Sequence, residues 1–309
     1  MRQIVGRFAP SPSGRMHLGN VLCALLAWLS ARRQGGQFLL RIEDLDAMRC
    51  PRSFADLILD DLCWLGLDWD GEVPYQSERA PIYERYEAVL REKGLLYPCF
   101  CSRAALHAAS APHLSDGRVV YAGTCRDLPA EQVERLRKTR APANRVRVPD
   151  EEISFADGVF GVYTENLARE CGDFIIRRSD GVFAYQLAVV VDDALAGVTE
   201  VVRGSDLISS TPRQIWLHRL FGFMPPAFVH IPLLCDHDGR RLSKRDDDLD
   251  LGLLRARFLP EQVIGALAFA AGLTASPTPC AAKDLVADFS WNKISRHDLF
   301  LPNVFHLEK

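Results

Sequence analysis

The chain has 309 residues, of which 48% are hydrophobic and 25% charged, and its formal net charge at pH 7 is −3. This balance is ordinary for a globular protein and excludes a bulk attraction to nucleic acid, so any such contact requires a local basic surface. The start "MRQIVGRFAPSP" lacks a signal-peptide core, and no segment approaches the ~18 apolar residues of a membrane span. We therefore expect no membrane partner.

The first predicted elements form a strand–helix–strand unit. Residues 3–9 read as a strand, residues 17–34 as a helix and residues 37–44 as a second strand. The leucines of the helix recur at helical spacing: Leu22, Leu25, Leu26 and Leu29. Two strands joined by one helix indicate a parallel βαβ unit, so the expected fold class is α/β.

The rest of the chain continues this pattern around an interruption. Helices are predicted over 52–65 and 81–93, whereas 97–170 is rich in loop-forming residues. From residue 183 the alternation resumes, with strands expected at "FAYQLAVVVDD" and "VTEVVRG" and a helix at "TPRQIWLHRLFG". The sequence thus indicates a nucleotide-binding fold in two halves with an insertion between them.

The loop at residues 10–16 follows the first strand and precedes the first helix, the usual ligand position in a parallel sheet. The helix N-terminus offers free N–H groups to phosphate, Gly14 and Gly19 allow close approach, and His17 can donate a hydrogen bond. The alternative for this loop alone is an ordinary helix start with a surface histidine.

A second motif, "CDHDGRRLSKRDDD", spans 235–248 and contains Arg241, Lys244 and Arg245. By itself it could be a solvated charged turn. Together, "HLGN" and the later "RLSKR" resemble the HIGH and KMSKS signatures of class I aminoacyl-tRNA synthetases. The stretches "GRFAPSPSGRMHLGN", "LLRIEDLDAMR", "YQSERAPIYERY" and "VVRGSDLISSTPRQ" resemble glutamyl-tRNA synthetases more closely, over about residues 4–273.

The resemblance implies a domain order. It comprises a first half of a Rossmann-like catalytic domain (1–96), a zinc-containing insertion (97–170), a second half (171–235), and a KMSKS-type loop with a short helical region (236–309). It also implies a cytoplasmic enzyme, and we expect a monomer.

The implied reaction begins with attack of a glutamate carboxylate on the α-phosphate of ATP, which is bound with Mg²⁺. His17 and Lys244 are the expected catalytic residues, and ATP would contact His17, Gly19, Asn20 and Lys244. The resemblance assigns glutamate binding to six positions: Arg7, Ala9, Ser11, Glu43, Tyr185 and Arg203. Without the resemblance, the three charged residues could be structural ion pairs and Tyr185 a core residue.

The chain has nine cysteines, and "YPCFCS" followed by "YAGTC" brings three of them, Cys99, Cys101 and Cys125, into the insertion. Such a cluster suits one structural zinc ion, and unpaired cysteines of this kind indicate a reducing compartment. From the residues, His107 or His113 would be the usual fourth ligand, whereas the resemblance implies Tyr121. Buried thiols without metal are the alternative, and the other six cysteines read as core residues.

No segment after the second motif resembles an anticodon-binding domain. This shortened pattern resembles paralogues of glutamyl-tRNA synthetase that activate glutamate without tRNA and esterify it onto the cyclopentene-diol of queuosine, at the wobble position of tRNA(Asp). The expected partner is then the anticodon arm, entering where an acceptor end would otherwise bind. Candidate phosphate contacts are Arg135, Arg137, Lys138, Arg140, Arg240, Arg241 and Arg245.

Two alternatives remain open at this point. One is a tRNA(Glu)-charging synthetase that works with a separate anticodon-binding partner. The other is a catalytically silent, zinc-containing regulatory paralogue.

Overall fold

A computed structural model describes residues 3–102, 120–235, 250–302 and 305. Lys244 with the neighbouring Arg240, Arg241 and Arg245, and both candidate histidines His107 and His113, lie outside the described residues. Within the described part, no helix is both long and apolar enough to cross a membrane.

The first half of the chain contains the predicted βαβ unit, formed by β1 (Val5–Phe8), α1 (Leu18–Arg33) and β2 (Gln37–Leu40). Two further helices follow, α2 (Arg52–Trp64) and α3 (Ala80–Glu92). β1 and β2 pair in parallel from Val5 opposite Gln37 to Phe8 opposite Leu40. The leucines Leu22, Leu25, Leu26 and Leu29 of α1 are all buried in the main hydrophobic core, as their spacing predicts.

The interrupting segment folds into more strands than its composition suggests. It contains β3 (Leu96–Cys99), α4 (Ala130–Arg137), β4 (Ala143–Val146), β5 (Glu152–Asp157) and β6 (Gly161–Asn166), and β7 (Phe174–Arg177) follows it. β3, β4 and β7 form an antiparallel sheet. β5 pairs with β6 and, through Asp157, with β9 of the second half. The domain boundaries stay a prediction.

The second half has α5 (Tyr185–Leu195), β8 (Glu200–Gly204), α6 (Thr211–Leu220), β9 (Ala227–Ile231) and β10 (Leu234–Cys235). β8 and β9 are parallel. The amide of Thr199 donates to the carbonyl of Val5 (2.9 Å), which sets β8 beside β1. After the second gap come α7 (Leu251–Arg255), α8 (Pro260–Ala270) and β11 (Leu299–Phe300), which pairs with β10.

The strand predicted at 183–193 is wrong, because this segment is helix α5. Its run of three valines favours a strand by propensity, but the helix is buried on several sides, from Leu187 through Asp193. A helix enclosed by its neighbours lacks the one-sided apolar period that distinguishes it from a buried strand. The α/β class is nevertheless confirmed.

Candidate active site

A cleft of about 420 Å³ opens at the carboxyl ends of β1 and β8. It is lined by every predicted ATP- or glutamate-binding residue that the structure describes: Arg7, Ala9, Ser11, His17, Gly19, Asn20, Glu43, Tyr185 and Arg203. These residues come from four separate stretches of chain, and a parallel sheet is what brings such strand ends to one edge. Lys244 alone among the predicted residues of this site lies outside the described part.

His17 is the N-cap of α1 and its imidazole faces back onto the helix start. Nδ1 accepts a hydrogen bond from the amide of Gly19 (3.1 Å), and the His17 amide donates to Oδ1 of Asn20 (3.3 Å). A neutral imidazole that accepts at Nδ1 carries its proton on Nε2, so Nε2–H is a donor. A Cβ on residue 19 would lie 2.9 Å from Cε1 of His17, which explains the glycine.

Arg203 is a buried cation at the floor of the cleft, only 4% exposed. Its Nε donates to Nε2 of His230 (3.0 Å), Nη1 to Oε1 of Gln214 (2.7 Å) and Nη2 to Oγ1 of Thr211 (2.7 Å). Within the described residues it makes no ion pair with a carboxylate. Burial lowers the pKa of this guanidinium, and the influence of Tyr185 and Asp193 offsets the lost hydration only in part.

His230 orients Arg203 by accepting the hydrogen bond from its Nε. Burial lowers the pKa of His230, so the ring is neutral, and its Nδ1–H donates to Oδ2 of Asp157 (2.6 Å). Burial opposes ionisation of Asp157, but hydrogen bonds from His230 and from two backbone amides bring its pKa below the ordinary value. Asp157 therefore fixes the tautomer that leaves Nε2 as an acceptor for Arg203.

Tyr185, at the first turn of α5, is half-buried beside Arg203, with its hydroxyl 3.4 Å from Nη1. On the opposite wall, the amide of Glu43 donates to the carbonyl of Pro10 (2.9 Å), which ties Glu43 to the loop carrying Ala9 and Ser11. The cleft thus offers two buried guanidiniums, Arg7 and Arg203, and one buried carboxylate, Glu43.

Arg7 and Glu43 belong to one set of buried charges. Arg7 Nε donates to Oδ2 of Asp193 (3.4 Å), and Nη1 donates to the carbonyl of Val202 (3.0 Å). Arg41 donates from Nη1 to Oδ1 of Asp193 (2.6 Å) and from Nη2 to Oε1 of Glu43 (3.0 Å). Burial raises the pKa of Glu43 above its usual value, and Arg41 offsets only part of this effect.

Sequence reasoning missed several residues of this site. Cys23 and Asp206 line the cleft, and Arg41, Asp193 and His230 support it. Burial raises the pKa of the Cys23 thiol to about 11, so the thiol stays protonated. The charged pair "DD" at the end of an apolar run is the one signal that could have indicated Asp193.

The cysteine cluster forms a separate site in the insertion. The three sulfur atoms of Cys99, Cys101 and Cys125 lie within 4.8 Å of one another, with 3.6 Å between those of Cys101 and Cys125. The Tyr121 hydroxyl is 3.6 Å from the sulfur of Cys99 and 3.7 Å from that of Cys101. The three cysteines could therefore hold a metal ion, and the Tyr121 hydroxyl lies beside them.

The other six cysteines do not all behave as expected. Cys171 and Cys235 are buried, and Cys23, Cys50 and Cys280 are half-buried, but Cys63 is exposed. The expectation of a core position is wrong for Cys63, which lies on the solvent side of α2.

Residues 3–278 match the family model of the class I tRNA synthetase (E and Q) catalytic domain. A protein from Symbiobacterium thermophilum named glutamyl-Q tRNA(Asp) synthetase is 49% identical over 97% of this chain and 96% of its own length. A protein of the same name from Nitratidesulfovibrio vulgaris is 47% identical over 97% of this chain and 96% of its own.

Among solved structures, a glutamate–tRNA synthetase from Elizabethkingia anophelis superposes with a TM-score of 0.84 at 28% identity. The match covers 98% of this chain and 69% of that one. A glutamate–tRNA ligase from Elizabethkingia meningosepticum, solved in complex with its amino acid, gives a TM-score of 0.83 at 28% identity, over 98% and 68% of the two chains.

Proposed function

Since the chain belongs to the class I tRNA synthetases of the glutamate and glutamine type, and is therefore a ligase, we propose that it joins L-glutamate to queuosine in tRNA(Asp). The reaction consumes ATP and passes through glutamyl-adenylate. The transfer target is supported by relatives named glutamyl-Q tRNA(Asp) synthetase, which are 43–50% identical to this chain.

The observation that carries the amino-acid assignment is the buried Arg203 guanidinium without a carboxylate partner among the described residues. Keeping such a charge away from water is costly unless an anion arrives to pair with it. A glutamate substrate brings two carboxylates and one ammonium, which the cleft matches with Arg203, Arg7 and Glu43. Tyr185, Ala9 and Ser11 complete this pocket.

In the first step, an α-carboxylate oxygen of glutamate bonds to the α-phosphorus of ATP. The bond from that phosphorus to the bridging oxygen breaks, and pyrophosphate leaves with the electron pair. We assign the triphosphate to the N-terminus of α1, where the N–H groups near Gly19 and Asn20 and the Nε2–H of His17 are donors. Lys244 supplies a compact positive charge to the same phosphates, and Mg²⁺ arrives with ATP.

In the second step, a hydroxyl of the queuosine cyclopentene-diol bonds to the carbonyl carbon of glutamyl-adenylate. The bond from that carbon to the phosphate oxygen breaks, AMP leaves with the electron pair, the hydroxyl releases its proton, and an ester remains on the wobble nucleoside. The exposed basic side chains on and after α4, which has no buried residue, are our candidates for phosphate contacts: Arg135, Arg137, Lys138 and Arg140.

We assign one structural zinc ion to Cys99, Cys101, Cys125 and Tyr121. Tetrahedral zinc with bonds of about 2.3 Å to sulfur and 2.0 Å to oxygen requires separations of about 3.8 Å between sulfurs and 3.5 Å between sulfur and oxygen. The observed 3.6 Å between the sulfurs of Cys101 and Cys125, and 3.6–3.7 Å from the Tyr121 oxygen to the sulfurs of Cys99 and Cys101, fit these values. All three sulfurs lie within 4.8 Å of one another. Zinc would fix the fold of the insertion.

ATP–pyrophosphate exchange without RNA tests the activation step. We expect exchange with glutamate, weaker exchange with glutamine and aspartate, and at least a tenfold loss in Lys244→Ala, because one transition-state contact contributes about 3 kcal/mol. Preference for glutamine or aspartate would contradict the pocket assignment. Full exchange in Lys244→Ala would remove that lysine from the mechanism, and no exchange with any amino acid would favour a silent paralogue.

A further inference from the structure

Behind the cleft, four buried side chains of alternating charge form a hydrogen-bonded series from Arg7 through Asp193 and Arg41 to Glu43. We call them the ion-pair chain. Its two ends, Arg7 and Glu43, line the cleft, and its middle members do not. All four side chains are at most 9% exposed. Resting on the proposed function, we propose that Asp193 and Arg41 are positioning residues that set the spacing of the two glutamate-binding ends.

The first support is that Arg7 lines two cavities, the cleft and a second one. A second cavity of about 330 Å³ lies behind it, lined by Arg7, Arg41 and Asp192. A guanidinium with space on two sides keeps its place through directional hydrogen bonds. The two observed here go to Asp193 and to the carbonyl of Val202.

The second support is that Arg41 donates hydrogen bonds to two different carboxylates. Nη1 bonds Asp193 at 2.6 Å and Nη2 bonds Glu43 at 3.0 Å, so one rigid guanidinium fork spans both carboxylates. A shift of Asp193 is therefore passed to Arg7 directly and to Glu43 through Arg41. Hydrogen bonds between charged groups in a buried site are strong enough to transmit such a constraint.

The neighbouring Asp192 provides a matched control. It is equally buried and lies on the same helix, but its hydrogen bonds come from Gln76, Arg79 and Tyr83, which join α5 to α3 and the turn before it. Its contact with Arg41 Nε is 3.7 Å, longer than a hydrogen bond. Asp192 is thus placed to stabilise the fold without reaching a residue of the cleft directly.

The test compares Asp193→Asn with Asp192→Asn in glutamate-dependent exchange and in calorimetric titration with glutamate. The side-chain amide introduced by Asp193→Asn cannot accept from both guanidiniums, because its NH₂ group faces a donor. We expect the KM and Kd for glutamate to rise about tenfold or more, the effect of one lost charge-assisted hydrogen bond. KM for ATP should change less than about threefold.

Asp192→Asn should lower the midpoint of thermal unfolding and leave glutamate affinity within about twofold. Arg41→Lys, which keeps the charge but not the fork, serves as a second variant should Asp193→Asn fold poorly, and should also weaken glutamate binding. Equal effects of the two aspartate variants on glutamate, or none from Asp193→Asn and Arg41→Lys, would overturn the proposal. Wild-type protein that binds glutamate without exchange would contradict the proposed function only, whereas a chain that binds no glutamate overturns both.

Discussion

At the scale of single residues, the cleft contains one buried cation, Arg203, that forms no ion pair with a carboxylate of the described residues. Arg203 is surrounded by neutral acceptors, His230, Gln214 and Thr211, that orient the guanidinium without neutralising it. Because these hydrogen-bond acceptors are neutral, the positive charge of Arg203 stays available to the carboxylate of a ligand. A carboxylate in their place would already pair with the guanidinium. Arg7, in contrast, shares its charge with Asp193.

Glu43 leads to a prediction about pH. Burial raises the pKa of this carboxyl, so as pH falls it takes up a proton at a higher pH than an exposed glutamate does. The protonated form no longer matches the ammonium of the substrate. We expect the acid limb of kcat/KM for glutamate to lie above the ordinary carboxylate range and to vanish in Glu43→Gln, which should also be at least about tenfold less active throughout.

The control for this experiment is Glu92→Gln, a change at the exposed end of α3, which should keep the wild-type pH profile. An acid limb that persists unchanged in Glu43→Gln would show that another group titrates.

The residues that line the cleft could be predicted because they lie inside long motifs. The residues that hydrogen-bond to them could not. Asp193 bonds Arg7 across 186 residues of sequence, and His230 bonds Asp157 across 73. No local pattern encodes which of many aspartates will meet a given arginine, since that depends on how strands and helices pack. The positions of Ala9 and Ser11 follow from the loop, whereas the ion-pair chain requires the assembled fold.

At the scale of elements, the groups that stabilise the start of α1 are also groups that line the cleft. The His17 side chain caps the helix, Asn20 caps the His17 amide in return, and Gly19 leaves room for the imidazole. Side-chain capping of this kind is worth about 1 kcal/mol to a helix. It also holds the ring and the helix N-terminus in one fixed relation, which a phosphate-binding site requires.

The predicted helices α1, α2, α3 and α6 agree with the structure to within two residues at each end. They could be predicted because each follows a recognisable boundary or shows an apolar face. The antiparallel sheet of β3, β4 and β7 could not, because β3 and β4 are separated by more than 40 residues of irregular composition. Pairing over such distances leaves little local signal.

The cysteine cluster leads to a prediction about the zinc content of the protein. Protein purified without chelators should contain about one zinc per chain by elemental analysis. Cys125→Ser should lose most of the metal and unfold at a lower temperature, because metal binding contributes directly to the stability of a small loop-rich unit. Tyr121→Phe should retain zinc more weakly.

Cys63→Ser is the matched control, since this exposed cysteine on α2 lies outside the cluster. It should keep the full zinc content. Equal zinc content in Cys125→Ser and Cys63→Ser, or no zinc in the wild type, would contradict this assignment. The cluster would then consist of thiols that bind no metal.

At the scale of the whole molecule, two parallel strand pairs, β1–β2 and β8–β9, explain why distant segments make one site, because β1 lies beside β8. β1 and β8 end beside each other, so residues 7–11 and 203–206 face the same cleft, and α5 sets Tyr185 above them. The insertion holds the cysteine cluster, built from Cys99 at the end of β3 together with Cys101 and Cys125. Activation and metal binding are thus assigned to separate parts of the molecule.

We propose that the activated glutamate goes to the anticodon of tRNA(Asp). The most direct measurement incubates the protein, ATP and labelled glutamate with queuosine-containing tRNA(Asp), unmodified tRNA(Asp) or tRNA(Glu), and then locates the label by nuclease digestion. We expect label on the queuosine nucleoside of the first tRNA and none on the other two. Label on the 3′-terminal adenosine of tRNA(Glu) would contradict it.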